Sequence, residues 1–149
     1  MKDQSYTTAI LVNKPLHKAF EAVNNVRGWW TENTEGNFHQ LNDEFEVRFG
    51  DVHYSKQKIT EVIPDTKVVW LVTDSKLNFV KDQKEWTNTK IIFELSESNG
   101  QTLVRFTHDG LVPDYECHEA CTGAWSSYIH DSLKELIETD KGKPEPKVV

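Results

Sequence analysis

No apolar stretch in this sequence approaches the roughly 18 residues needed to cross a bilayer. The opening Met1-Lys2-Asp3-Gln4-Ser5 has no apolar signal core behind it. Membrane insertion is therefore not expected, and the chain is expected to be cytoplasmic. An excess of positive charge is missing too: 17 Lys and Arg against 24 Asp and Glu leave a net charge of −7. That is the wrong sign for a phosphate backbone, which is bound through clustered cations. Nucleic acid is excluded as a partner, and the acidic excess is read as a solubility feature. Long Pro, Gly or Ser runs are absent, and 28% charged with 11% aromatic residues describes a folded protein rather than a disordered one. The 149 residues suffice for one continuous core. A single domain over 1–149 is expected, with its core at 5–140.

Catalytic signatures are equally scarce. There is no Gly-x-Ser-x-Gly elbow, no phosphate-cradling Gly-rich loop and no metal-ligand spacing. The sequence points away from an enzyme, although His53 or His108 would be the general base if a cavity reaction occurred. Only two cysteines are present, Cys117 and Cys121. Four residues apart on one helix they share a face, where a disulfide would strain the backbone, so they are read as two small buried side chains. His118 follows Cys117 directly and so points about 100° away around the helix, which argues against a Cys/Cys/His metal site. His118-Glu119-Ala120-Cys121-Thr122 begins like a metalloprotease helix but carries Thr where the second His must stand. No metal and no cofactor is expected.

What the chain does have is patterned polarity. Residues 5–12 alternate as a strand. Asn13 is a plausible cap and Pro15 suits a first helical turn, after which Leu16, Ala19, Phe20 and Val23 recur at helical spacing. Asn24-Asn25 breaks this helix, and a second short one begins at Val26 and reaches Trp29-Trp30. From there to 109 the pattern is strand, with turns at 35–37, 41–43, 50–51, 64–65 and 98–100. The plainest strands are 56–63, 67–73, 87–95 and 102–108, in an antiparallel meander of about six. Residues 74–86 read as a loop holding the apolar Leu77, Phe79, Val80 and Trp86. A long helix is expected from Pro113-Asp114, with Asp114 as its cap. Cys117, Ala120, Cys121, Ala124, Trp125, Tyr128, Ile129, Leu133, Leu136 and Ile137 form its apolar stripe, and Gly142 and Pro144 stop it. The tail from 143 to 149 reads as frayed. This order is that of an α+β domain.

Several motifs then fall in one order: Trp29-Trp30, the Glu61-Val62-Ile63-Pro64 to Val69-Trp70 hairpin, Trp86 leading into Ile91-Ile92-Phe93-Glu94, Thr107-His108-Asp109-Gly110-Leu111, and Cys117 with Cys121-Thr122-Gly123-Ala124-Trp125. With them the chain resembles the SRPBCC (START-like, helix-grip) superfamily. Within it, the chain is similar to small relatives of the C-terminal domain of the activator of the heat-shock-protein-90 ATPase. The resemblance implies a curved antiparallel sheet wrapped around the C-terminal helix, with an apolar cavity between them that takes a small hydrophobic molecule such as a lipid or polyketide. It also implies two alternatives, a module that engages a chaperone and a cavity enzyme of cyclase or dehydratase type. A monomer and a homodimer are both compatible with the sequence.

In such a cavity the ligand-facing candidates are Trp29, Trp30, Phe49, His53, Trp70, Phe79, Trp86, His108, Trp125 and Tyr128. Each has a plainer reading. An aromatic on a strand or helix face is commonly core. His108, on the face of Val104 and Phe106, would serve as a structural hydrogen-bonding group. His53 and Asp51 would form a solvated surface pair. Phe79 and Trp86, in a lid or an anchored loop, would border the mouth. An exposed Trp29-Trp30 patch would favour the chaperone reading, and burial of both rings would count against it.

Overall fold

The computed structural model describes residues 5–146. Strand β1 (Tyr6–Val12) is followed by two short helices, α1 (Leu16–Asn24) and α2 (Val26–Trp29). Six strands then follow: β2 (Thr34–Gly36), β3 (Glu44–Phe49), β4 (His53–Ile63), β5 (Lys67–Leu77), β6 (Lys90–Ser98) and β7 (Gln101–Asp109). They form one antiparallel sheet in the order β1-β7-β6-β5-β4-β3-β2. Thus β2 to β7 make a meander, and β1 returns to flank β7 with Ile10 opposite Val104. The expected α+β class and helix-grip order hold.

Alternation builds the sheet. In β7, Thr102, Val104, Phe106 and His108 are buried, and in β6, Ile91, Phe93 and Leu95 are buried on the same side. Two residues with positive φ, Asn99 and Gly100, close the β6–β7 hairpin, the backbone that a two-residue turn between twisted strands requires. Register shifts at Lys56/Gln57 and Ile59/Glu61 bend the β4–β5 pair, as an extra residue in one strand does.

The covering helix runs unbroken over 118–139 in three pieces. These are α3 (His118–Ser127), a π-helical stretch (Tyr128–Leu133) and α4 (Lys134–Thr139). Cys121, Trp125, Ile129, Leu133 and Ile137 are its buried apolar positions. They meet a core that includes Phe45, Trp70, Phe93 and Phe106. No helix among the described residues is long and apolar enough to cross a membrane.

Six features differ from expectation. β4 starts at His53 and β5 runs on to Leu77, because His53 pairs with Leu77 and Ser55 with Ser75; polar side chains disguise this extension. The expected loop 74–86 is therefore displaced to 78–89, and Asn88, with φ of 74°, leaves the strand that was expected to begin at 87. Residues expected to turn at 35–37 contain β2, which pairs with β3. Asn13 does not cap α1, whose N-cap position is Pro15, without a side-chain cap. The long helix starts at His118 instead of Asp114; the turn ahead of it is held by a buried carboxylate from elsewhere, as Glu116 and Cys117 donate their backbone N–H groups to Glu85 at 2.9 and 3.2 Å.

The tail is also not frayed over 143–146. Lys143 N–H donates to Ser132 Oγ at 2.7 Å, and Glu145 N–H donates to the Trp30 carbonyl at 3.0 Å. Glu145 in turn accepts from Glu32 N–H at 2.9 Å. A Cβ on Gly142 would lie 2.3 Å from the Gly28 carbonyl oxygen, so glycine is what lets this strap lie against α2. The rest of the expected frayed tail, 147–149, lies outside the described residues.

Candidate functional site

Between the first half of the covering helix and one end of the sheet opens a cleft of about 520 Å³. The helix contributes Ala120, Cys121, Ala124, Trp125 and Tyr128. Ala120 and Ala124, one turn apart, are small, and that smallness leaves the space that Trp125 and Tyr128 bound. The β3–β4 hairpin supplies Phe49 through His53, the β5–β6 loop supplies Phe79 and Trp86, and Trp30 and Glu145 complete the wall.

All five tryptophans belong to one cluster. Trp30 stacks on Trp125 with centroids 4.9 Å apart and planes at 25°, and Trp86 stacks on Trp125 at 5.7 Å and 13°. Trp70 and Trp29 flank Trp30 from behind, at 5.9 and 6.1 Å with planes at 19° in both cases. Of the ten candidates, seven border the cleft: Trp30, Phe49, His53, Phe79, Trp86, Trp125 and Tyr128. Trp29, Trp70 and His108 are fully buried behind that wall. Trp29 donates its indole N–H to the Val23 carbonyl at 3.1 Å. With Trp29 at 0% and Trp30 at 2% exposure, the tandem pair forms no surface patch.

His108 is wholly committed to structure. Trp125 Nε1–H donates to its Nδ1 at 3.0 Å, which leaves Nε2 as the protonated nitrogen, donating to Thr89 Oγ1 at 2.8 Å. Thr89 passes its own hydroxyl proton to the Trp86 carbonyl. Burial, reinforced by the neighbouring His53, lowers the His108 pKa to about 3, so the ring is neutral. Neither nitrogen is free to act as a base.

The expected surface pair of His53 with Asp51 is not formed. Alternation along β4 turns His53 inward, where it is 9% exposed and meets Trp86 and Phe49 edge-on, at 4.5 and 5.1 Å. Its Nε2 lies 3.0 Å from Ser55 Oγ. Burial lowers its pKa to about 3 as well. The Asp51 carbonyl instead receives the side-chain amide of Asn78, which ties the β3–β4 turn to the β5–β6 loop. Tyr128 keeps its proton firmly, its pKa raised to about 12 by burial and by Glu145.

Sequence reasoning missed Cys121, Ala120 and Ala124 as wall residues, and missed Ser55 and Gln57 behind His53. Small residues leave a cleft by what they omit, which no periodicity scores. The two buried serine and glutamine side chains had a signal, the polar series His53-x-Ser55-x-Gln57 on one strand face. Both cysteines are free thiols. The hydrogen bond to Cys121, then burial, push the Cys117 thiol up.

Residues 15–138 match the family model for "Activator of Hsp90 ATPase homolog 1-like protein". No curated protein matches the chain significantly. Among solved structures it is similar to the Aha1 dimer from Colwellia psychrerythraea, with a TM-score of 0.75 and 26% identity over 93% of this chain and 98% of that one. It is also similar to DynU16 of the dynemicin biosynthetic locus, with a TM-score of 0.70 and 15% identity over 98% of this chain but only 52% of that one, so the chain spans about half of that protein. SSP2350 from Staphylococcus saprophyticus matches with a TM-score of 0.69 and 17% identity, over 94% and 96% of the two chains. The last two speak for the fold alone. The match over 15–138, joined to the sheet order and covering helix, places the chain in the activator of Hsp90 ATPase homolog 1-like family of the SRPBCC, helix-grip superfamily.

Proposed function

We propose that this protein binds a small hydrophobic molecule in the cleft between sheet and helix, as a cytoplasmic carrier or sensor. The observation that carries this reading is the cleft itself: about 520 Å³ bordered by Trp30, Trp86, Trp125, Phe49 and Phe79, with few polar groups among them. That volume lies within the ~300–1,000 Å³ of typical small-molecule sites, which are likewise mostly apolar with a few placed polar groups. Apolar surface removed from water there contributes about 25 cal/mol per Å². Catalysis is less favoured, because both nitrogens of His108 are engaged. The chaperone-binding reading lacks the exposed tandem tryptophan it called for. The Colwellia relative is a dimer, and sedimentation of this protein would test whether pairing carries over.

Native mass spectrometry of protein purified without denaturation, followed by solvent extraction, tests the reading. A stoichiometric hydrophobic adduct is expected, displaced in Trp125→Ala. Failure of apolar probes to bind the ligand-free protein at any concentration up to their solubility would overturn it.

A further inference from the structure

Three polar side chains share the inward face of β4 at alternate positions: His53, Ser55 and Gln57. Ser55 and Gln57 are fully buried, and His53 is buried but for 9%. Burying such groups is costly unless they are paired, so their partners carry information. Gln57 Nε2–H donates to Ser55 Oγ at 2.6 Å, and Ser55 Oγ lies 3.0 Å from His53 Nε2. An amide N–H can only donate, so the serine oxygen accepts from Gln57, and since His53 Nε2 is the one acceptor within reach of the Ser55 O–H among the described residues, that proton is directed to it. That nitrogen is then the acceptor, and the proton of the neutral ring resides on Nδ1. Nδ1–H has no hydrogen-bond partner among the described residues, while the ring borders the cleft beside Trp86 and Phe49.

We propose that His53 is the specificity-determining residue of the cleft, presenting Nδ1–H to a carbonyl oxygen on an uncharged, otherwise apolar ligand. The proposal rests on the ligand-binding reading above and narrows it to a chemical class. An anionic acceptor is disfavoured, because Asp51 and Glu145 border the same cleft and the chain carries a net charge of −7. A ligand hydroxyl can also accept from Nδ1–H, but its own proton then needs an acceptor in a mostly apolar wall, so a carbonyl, which only accepts, is the better match. Ser55 and Gln57 act as positioning residues, since they fix which nitrogen carries the proton.

Two measurements test this. In ligand-free wild type, ¹⁵N-histidine NMR should find His53 protonated at Nδ1; protonation at Nε2 would overturn the proposal without reference to any ligand. Binding of three probes of near-equal shape is then compared: 2-acetylnaphthalene, 2-isopropenylnaphthalene and 1-(2-naphthyl)ethanol. One well-made hydrogen bond predicts roughly 3- to 10-fold tighter binding of the ketone than of the alkene. His53→Phe should abolish that preference while the alkene still binds, and Ser55→Ala, which leaves the ring but frees its tautomer, should reduce it. A ketone bound no more tightly than the alkene by wild type, or a preference unchanged in His53→Phe, would overturn the role of His53 and leave the cleft reading standing. If no probe binds, both fall together.

Discussion

At the scale of single residues, the two buried histidines carry the sharpest consequences. Each has a folded-state pKa of about 3 against 6.5 for an ordinary side chain. Between those values the unfolded chain binds more protons than the folded one, so stability must fall as pH falls, by about 1.4 kcal/mol per unit for each ring once both states differ fully. The urea midpoint should therefore be level above pH 7.5 and decline steadily from 6.5 toward 4. His108→Gln should start lower, having lost its bonds to Trp125 and Thr89, yet decline less steeply; an equal slope would mean that His108 does not titrate on unfolding. Trp125 both borders the cleft and donates to His108. Trp125→Ala should cost about 3–5 kcal/mol of stability, as large aromatic truncations do, and weaken ligand binding as well. Trp125→Phe should cost less and leave His108 Nδ1 without its donor, which the histidine NMR spectrum would report.

At the scale of elements, the decisive features are contacts between segments remote in sequence. Glu85 closes the start of the covering helix from 31 residues away, accepting two backbone N–H groups. Glu85→Ala should cost about 1–3 kcal/mol, the range for buried donors left unpaired, and hydrogen exchange should accelerate at 116–121. Glu85→Gln, which keeps an acceptor oxygen, should lose less. Gly142→Ala should push the C-terminal strap off α2 and break the bond from Lys143 to Ser132, seen as faster exchange at 143 and 145 with the sheet unchanged. These contacts explain what was legible in the sequence and what was not. The strands that alternate apolar and polar residues, β6 and β7, were found, with His108 placed on the face of Val104 and Phe106, and so was the apolar stripe of the covering helix. The start of that helix was misplaced because the turn before it is held by Glu85, remote in sequence, while Asp114 looked like a local cap. The polar end of β5 was read as loop, and the start of β4 was left out of its strand, because Ser55 and Ser75 are buried and paired with His53 and Thr87, whereas a pattern search counts apolar residues. Cleft candidates were chosen by size, which captured the aromatic wall and also selected Trp29 and Trp70 behind it.

At the scale of the whole molecule, β1 and β7 hold one edge of the sheet, while the covering helix and its strap bind back onto α2 and the residues after it. With no segment among the described residues left to fold apart from that shared core, urea should unfold the chain in a single transition, with far-UV dichroism and sedimentation coinciding and a slope of about 1–3 kcal/mol per molar. Two separable transitions would contradict the one-domain reading. The stack of indoles has a consequence of another kind. Every tryptophan of the chain lies in one cluster of near-parallel rings, and three of them face the cleft. Transition dipoles held so close exchange excitation, so the near-ultraviolet spectrum reports a coupled array rather than five independent chromophores. An occupant of the cleft would perturb that array at its open side, and the protein thereby carries an unlabelled optical gauge of whether its own site is filled.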